Sequence, residues 1–278
     1  MRSLFYCFLR PLVNLFFGVR KIVILEHNGI SIKDYPESDW FFVPFPSQKG
    51  LPFNSDNLAT VNRSSFLNDP DFKKARMAAE GRWSNSEKTR NITWRLHVFL
   101  WSVSQGLKNS NIGECIFVEC GTGKGFMAAA ATDFFSWGNK LPEFYLVDSF
   151  VSYYPNVDGD QNENGQKSFV YADSDVEVRD YFSKYDNVQI IKGLIPNCLV
   201  DLPRDKKIKF LHLDLNHYKA ERDALEFFKD FLVEGSIILF DDFGGPGGYL
   251  QAEVHEQFAK ENGKSLLQLP TGQAFISW

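Results

Sequence analysis

The stretch Cys115-Ile116-Phe117-Val118-Glu119-Cys120 runs without a spacer into Gly121-Thr122-Gly123-Lys124-Gly125. Its first six residues form an apolar run broken only by Glu119, a length and texture that suit a strand covered on both faces. The glycines let the backbone turn sharply and approach a ligand where a Cβ would clash, just as a helix begins. Downstream, the same texture predicts strands over 144–148, 188–192, 208–213 and 237–240, alternating with helices over 125–137, 174–184 and 218–232. Near-continuous apolar strands separated by helices define an α/β chain with a mostly parallel sheet covered on both faces. A helix near 251–262 follows, and then 266–269, Pro270-Thr271-Gly272 and 274–278 read as an antiparallel C-terminal hairpin.

Upstream the texture differs, which divides the chain into an N-terminal extension over 1–84 and a ligand-binding domain over 85–278. In 1–21, Leu4, Phe5, Phe8, Leu9, Leu12, Leu15, Phe16 and Val19 share one helical face, with Arg2, Arg10, Asn14 and Lys21 mostly opposite. That amphipathic helix is too short to span a membrane, and two readings stay open: packing on the protein's own core or a sister subunit, as in a homo-oligomer, or contact with a membrane surface. Two apolar runs around Asn28-Gly29 predict a small hairpin. Residues 35–57 have no period and read as an irregular loop. Asp69 as cap and Pro70 at the first helical position start a helix to about residue 81. A second helix over 86–107 places Ile92, Leu96, Phe99, Leu100 and Val103 on its apolar face.

The 278 residues are 44% hydrophobic, enough for a full core without metal or disulfide staples. A formal charge of −5 argues against nucleic acid as a partner. Cys7, Cys115, Cys120 and Cys198 lack metal-ligand or redox-pair spacing, so the expectation is buried free thiols in a cytoplasmic protein.

The glycine loop is neither of the common nucleotide fingerprints. Phe126 stands where GxGxxG needs its third glycine, and GxxxxGK[ST] is absent. The next strand ends in Asp148, which at the carboxyl end of a neighbouring strand accepts both hydroxyls of a ribose. Acids before the loop and after the second strand suit a cationic ligand without phosphate, and S-adenosylmethionine is such a ligand. At the same rim, Asp214 ends the fourth strand and Asp241-Asp242 ends the fifth. Three converging carboxylates repel unless a cation neutralises them, and hard oxygen ligands at an open site suit Mg²⁺. His212 lies inside a strand pattern and reads as a satisfied core residue. His27, His97 and His255 have no ligand spacing, so zinc is not indicated.

FVECGTGKG (117–125), LVDSF (146–150), IIKGLIPNCL (190–199), LHLDLNHYKAERDAL (211–225) and GSIILFDDFGG (235–245) occur in the order of the motifs of class I S-adenosylmethionine-dependent methyltransferases. The chain resembles in particular the macrocin O-methyltransferase (TylF-like) family, over about 89–273. The resemblance implies a Rossmann-like fold with a seven-stranded sheet. It implies that Glu119, Gly121, Thr122 and Gly123 hold the methionine end of the cofactor and Asp148 the ribose, with Ser149 where the family usually has Thr. It also implies a divalent metal on Asp214, Asp241 and Asp242, and a sugar or glycosylated small molecule as acceptor. One departure stands out. The family's Asp-x-Asp-x-Tyr is here Asp214-Leu215-Asn216-His217-Tyr218. Asn216 cannot accept a proton, so His217 is the adjacent candidate for general base beside Asp214.

The polar stretch between Asp148 and Tyr171 is too long for an ordinary connection and reads as a lid over the rim or an insertion. Two rivals to an O-methyltransferase remain. An NAD-dependent oxidoreductase is disfavoured by the missing glycine and the lack of a Tyr-x-x-x-Lys pair. A degenerate methyltransferase fold that binds but does not turn over is kept in play by Asn216.

Overall fold

Cys115–Cys120 forms strand β3, buried along its whole length, because it lies at the centre of a parallel sheet with helices on both faces. The structure, a computed structural model, describes residues 53–56, 58–60, 62–83, 91–108, 113–138, 140–151, 174–244 and 249–278. All of them belong to one unit, Pro52–Trp278. The expected N-terminal helix and hairpin and the 152–171 part of the expected lid lie outside the described residues.

A two-stranded ribbon, β1 (Phe53–Ser55) and β2 (Leu58–Thr60), precedes helices α1 (Pro70–Glu80) and α2 (Thr93–Leu107). β1 falls inside the stretch 35–57 expected to be irregular and β2 just beyond it, and Asp56 at φ 53° supplies the turn between them. Helix α1 starts as the sequence predicts: Asp69 accepts a hydrogen bond from the amide of Phe72, with Pro70 at the first helical position. After β3 come α3 (Phe126–Phe134), β4 (Glu143–Asp148), α4 (Asp175–Phe182), β5 (Val188–Lys192), β6 (Lys207–Leu213), α5 (Tyr218–Phe228), β7 (Leu232–Phe240), α6 (Tyr249–Glu261), β8 (Leu266–Gln268) and β9 (Ala274–Ser277). The seven-stranded sheet has the order β5-β4-β3-β6-β7-β9-β8. Strands β5 to β7 in that order are parallel, and β9 and β8 close the edge antiparallel, as the expected C-terminal hairpin. Among the described residues no helix is long and apolar enough to cross a membrane. Cys115, Cys120 and Cys198 are buried free thiols.

The period-2 alternation of the strands sorts the core into two layers. Phe117, Phe144, Phe210 and Leu239 face α1 to α4, while Val118, Val147, Leu211 and Phe240 face α5 and α6. Small residues let the first layer close tightly: Ala75 and Ala79 of α1 and Ala128 to Ala131 of α3 have no exposed surface.

The chain order reverses between β3 and β6, the switch point at which open α/β sheets bind ligands. There Gly121 adopts φ +91°, and a Cβ on it would sit 1.9 Å from the carbonyl oxygen of Asp214 and 2.5 Å from its carbonyl carbon. Both are backbone atoms that no rotamer change can remove. Gly121→Ala is therefore expected to part β3 from β6 and to cost roughly 3 kcal/mol or more in denaturant unfolding. A variant within about 0.5 kcal/mol of wild type would refute that close approach.

Candidate active site

Four strands deliver acids to one rim. Residues two apart along a strand share a face, so Glu119 follows Phe117, His212 follows Phe210, and Asp241 follows Leu239 on the layer covered by α2. The register pairs Glu119 with His212 across β3 and β6. His212 is fully buried, and its Nδ1 lies 3.0 Å from Oε1 of Glu119, while its Nε2 is 3.8 Å from Oδ1 of Asp241, beyond hydrogen-bond reach. Burial alone would lower its pKa, but the carboxylates of Asp241 and Glu119 on either side raise it to about 10. His212 is thus a buried core residue, as expected, hydrogen-bonded at Nδ1 to Glu119 and with the carboxylate of Asp241 facing its Nε2.

Glu119 has almost no exposed surface, and its Oε2 accepts a 3.0 Å hydrogen bond from Thr122. Its carboxylate therefore fastens the glycine loop from beneath. Gly123 and Gly125 also adopt positive φ, and Gly125 caps α3 where a Cβ would meet the ring of Phe182 at 2.6 Å. Asp148 ends β4 beside this loop, accepting from the amide of Gly123 at 2.7 Å and of Phe150 at 2.7 Å. Burial raises its pKa, against the pull of the Phe150, Gly123 and Ser149 amides. A carboxylate offers about four acceptor sites, so these two hydrogen bonds leave capacity for a ligand's hydroxyls. Oγ of Ser149 accepts from the amide of Val151 at 3.4 Å.

Asp214, Asp241 and Asp242 each offer a carboxylate oxygen within 4.8 Å of the others. Asp214 is pushed well above the usual carboxylate range by burial and then by the charges of Asp241 and Asp242. Asp242 is raised to about 6, by burial and the charge of Asp241 against the pull of Arg95. Crowded hard oxygens whose protons are held by burial and then by mutual repulsion fit a divalent cation. Asp241 differs from the other two. Its Oδ1 accepts from Nε2 of Gln273 and its Oδ2 from Nη1 of Arg95, each at 2.7 Å. Although burial opposes its charge, His212, Arg95 and Gln273 hold its carboxyl below the usual range.

Asn216 and His217 open the turn into α5. Asn216 sits at φ 54° and donates from Nδ2 to Oδ1 of Asp214 at 3.2 Å. His217 is the N-cap residue of α5, its Nδ1 accepting from the amide of Ala220 at 3.4 Å. Reading the sequence alone missed Arg95, Gln273 and the role of His212. The signal for Arg95 was its spacing: four residues before Phe99, it shares the buried face of α2.

The strand order, the glycine loop at its switch point and the acids on the adjoining strand ends define a Rossmann-like methyltransferase fold. Comparison with known proteins agrees: residues 118–243 match the family model described as a methyltransferase domain. Among solved structures the chain is similar to the calicheamicin methyltransferase CalS11, with a TM-score of 0.54 and 16% identity over 78% of this chain and 95% of that one. It is equally similar to the O-methyltransferase NovP, with a TM-score of 0.54 and 20% identity over 66% of this chain and 78% of that one. No curated protein sequence matches it significantly.

Proposed function

We propose that the chain is an S-adenosylmethionine-dependent O-methyltransferase, assisted by Mg²⁺, acting on a hydroxyl of a sugar or glycosylated small molecule. The observation that carries this reading is the shared rim: the glycine loop with Asp148 on one side of the switch point, and Asp214, Asp241 and Asp242 on the other. The match of residues 118–243 to a methyltransferase domain supports it. The choice of a sugar rests on the motif resemblance.

S-adenosylmethionine supplies a methyl group already activated on a sulfonium, and a divalent cation supplies charge that lowers the pKa of a hydroxyl. The chain's own residues then bind and orient. Gly121, Thr122 and Gly123 hold the methionine end, with Glu119 fixing Thr122 beneath them. Asp148 accepts the ribose hydroxyls, with Ser149 beside it. Asp214, Asp241 and Asp242 would hold the metal and so align the acceptor with the methyl group, the main source of rate for an activated donor. His217 takes the acceptor's proton.

Calorimetry with S-adenosylmethionine and with NAD tests the reading, since binding of NAD alone would overturn it. Asp148→Ala is expected to weaken S-adenosylmethionine by roughly 1.5–3 kcal/mol, about ten- to a hundredfold, and unchanged affinity would remove Asp148 from the site. For the metal, Asp214→Asn, Asp241→Asn and Asp242→Asn are each expected to abolish divalent-cation dependence of turnover while leaving cofactor affinity largely intact. Full turnover in a chelator would overturn the Mg²⁺ assignment.

A further inference from the structure

Arg95 reaches the acid cluster from α2 and pairs with three carboxylates, those of Asp56, Asp241 and Asp242, through one guanidinium. Its Nη1 lies 2.7 Å from Oδ2 of Asp241, 3.0 Å from the Asp241 carbonyl oxygen and 3.5 Å from Oδ1 of Asp242. Its Nε donates to Oδ2 of Asp56 at 2.8 Å, in the turn between β1 and β2. Only 11% of the side chain is exposed. A guanidinium carries five donors in a rigid fork and does not deprotonate, so it cannot leave a carboxylate by losing its charge. It occupies the side of the cluster that a cation bound to Asp241 and Asp242 would share.

We infer that Arg95 is a resident counter-ion that competes with a divalent cation for Asp241, and that Asp56 keeps the guanidinium when the cation takes Asp241. The inference rests on the metal reading above. It makes Arg95 a positioning residue and couples the β1–β2 turn to the cation state of the rim. Because coupling is reciprocal, anything that loosens Arg95 from Asp241 tightens the cation, and anything that deprives Arg95 of its second partner weakens it.

The test is Mn²⁺ affinity of the full chain, measured by electron paramagnetic resonance or calorimetry without acceptor or turnover. Arg95→Met is expected to bind Mn²⁺ at least tenfold more tightly than wild type. Arg95→Lys, which keeps the charge but cannot bridge two carboxylates, should fall between them. Asp56→Asn is expected to bind several-fold more weakly. The opposite signs matter, because a merely structural Arg95 would make all three variants bind Mn²⁺ worse. Mn²⁺ binding by wild type with equal or weaker binding by Arg95→Met overturns the inference and leaves the metal reading standing. Absence of Mn²⁺ binding from every variant overturns both. If Arg95→Met does not fold, the other two decide: an Asp56→Asn variant that binds as tightly as wild type, or an Arg95→Lys variant that binds no tighter, overturns the inference.

Discussion

His212→Leu is expected to destabilise the Pro52–Trp278 unit by roughly 3–5 kcal/mol, because it removes the cation that lies between two buried carboxylates. Leucine fills much of the same space against Phe99, whose ring meets the imidazole edge-on at 4.9 Å, so lost volume is the smaller part of the effect. The larger part is electrostatic. Among the described residues Glu119 would keep only Thr122 as partner, in a site with almost no solvent exposure. A pH series separates the two contributions. The folded pKa of His212 is raised to about 10, above the unfolded value near 6.5. The charged form therefore stabilises the fold fully below about pH 6.5, and that stabilisation is lost as pH rises through about 10. Urea unfolding of wild type should weaken across this window by an amount on the order of a few kcal/mol. His212→Leu should lack that decline, and so should His212→Gln, which keeps a hydrogen bond to Glu119 but carries no charge. An equal decline in either variant would show that His212 does not titrate there.

The fold was legible because its signals are local. An apolar run before a glycine loop, repeated strand–helix alternation and a Pro-Thr-Gly turn near the end fix the elements to within a few residues, apart from α2, which starts at Thr93 and not near residue 86, and β7. That strand starts at Leu232, five residues before the expected Ile237, because Leu232 pairs with Ile208 of β6 ahead of an irregularity in the register, where the Ser236 hydroxyl donates to the Ile208 carbonyl. The positions of the rim acids were legible for the same reason: an acid that ends a parallel strand must emerge at the carboxyl edge. What was not legible depends on pairing across the sheet. Glu119 and His212 are ninety-three residues apart in sequence, and only the register of β3 with β6 sets them side by side. Arg95 and Asp241 meet from a helix and a strand end a hundred and forty-six residues apart. Glu221 and His255 are a further case, both buried, with Oε2 of Glu221 2.5 Å from Nε2 of His255 where α5 packs on α6. Each partner alone looks like a misplaced polar residue in an apolar pattern. Two such residues on one buried face are a reason to expect a hydrogen-bonded pair.

His217→Asn is expected to lower turnover by roughly 10²–10⁴ while leaving stability and S-adenosylmethionine affinity nearly unchanged. Asparagine is the informative replacement because the structure gives His217 a second task. As N-cap residue of α5 its Nδ1 receives the amide of Ala220, and an alanine would forfeit that hydrogen bond at a cost of about 1 kcal/mol. Asparagine caps a helix well but cannot serve as a base near neutral pH. The cap also constrains the chemistry. While Nδ1 accepts from Ala220, the ring proton resides on Nε2, so taking a proton from the acceptor requires the cap bond to be given up or the tautomer to change. That cost of about 1 kcal/mol is small beside the roughly 3–5 kcal/mol that such a rate loss represents, so the cap does not forbid the role. If His217 is the base, the rate should also fall as pH drops through its pKa. A silent His217→Asn in an active enzyme ends the assignment and leaves acidification of the acceptor to the metal. Asn216→Asp then becomes the decisive variant. Asn and Asp both tolerate the left-handed backbone found at φ 54°, so the change adds a carboxylate beside Asp214 without straining the turn. Higher turnover in Asn216→Asp would identify the missing acid as the limiting group. Wild type inactive on every acceptor, with at most a trace from Asn216→Asp, would instead identify a binding protein that retains the methyltransferase fold.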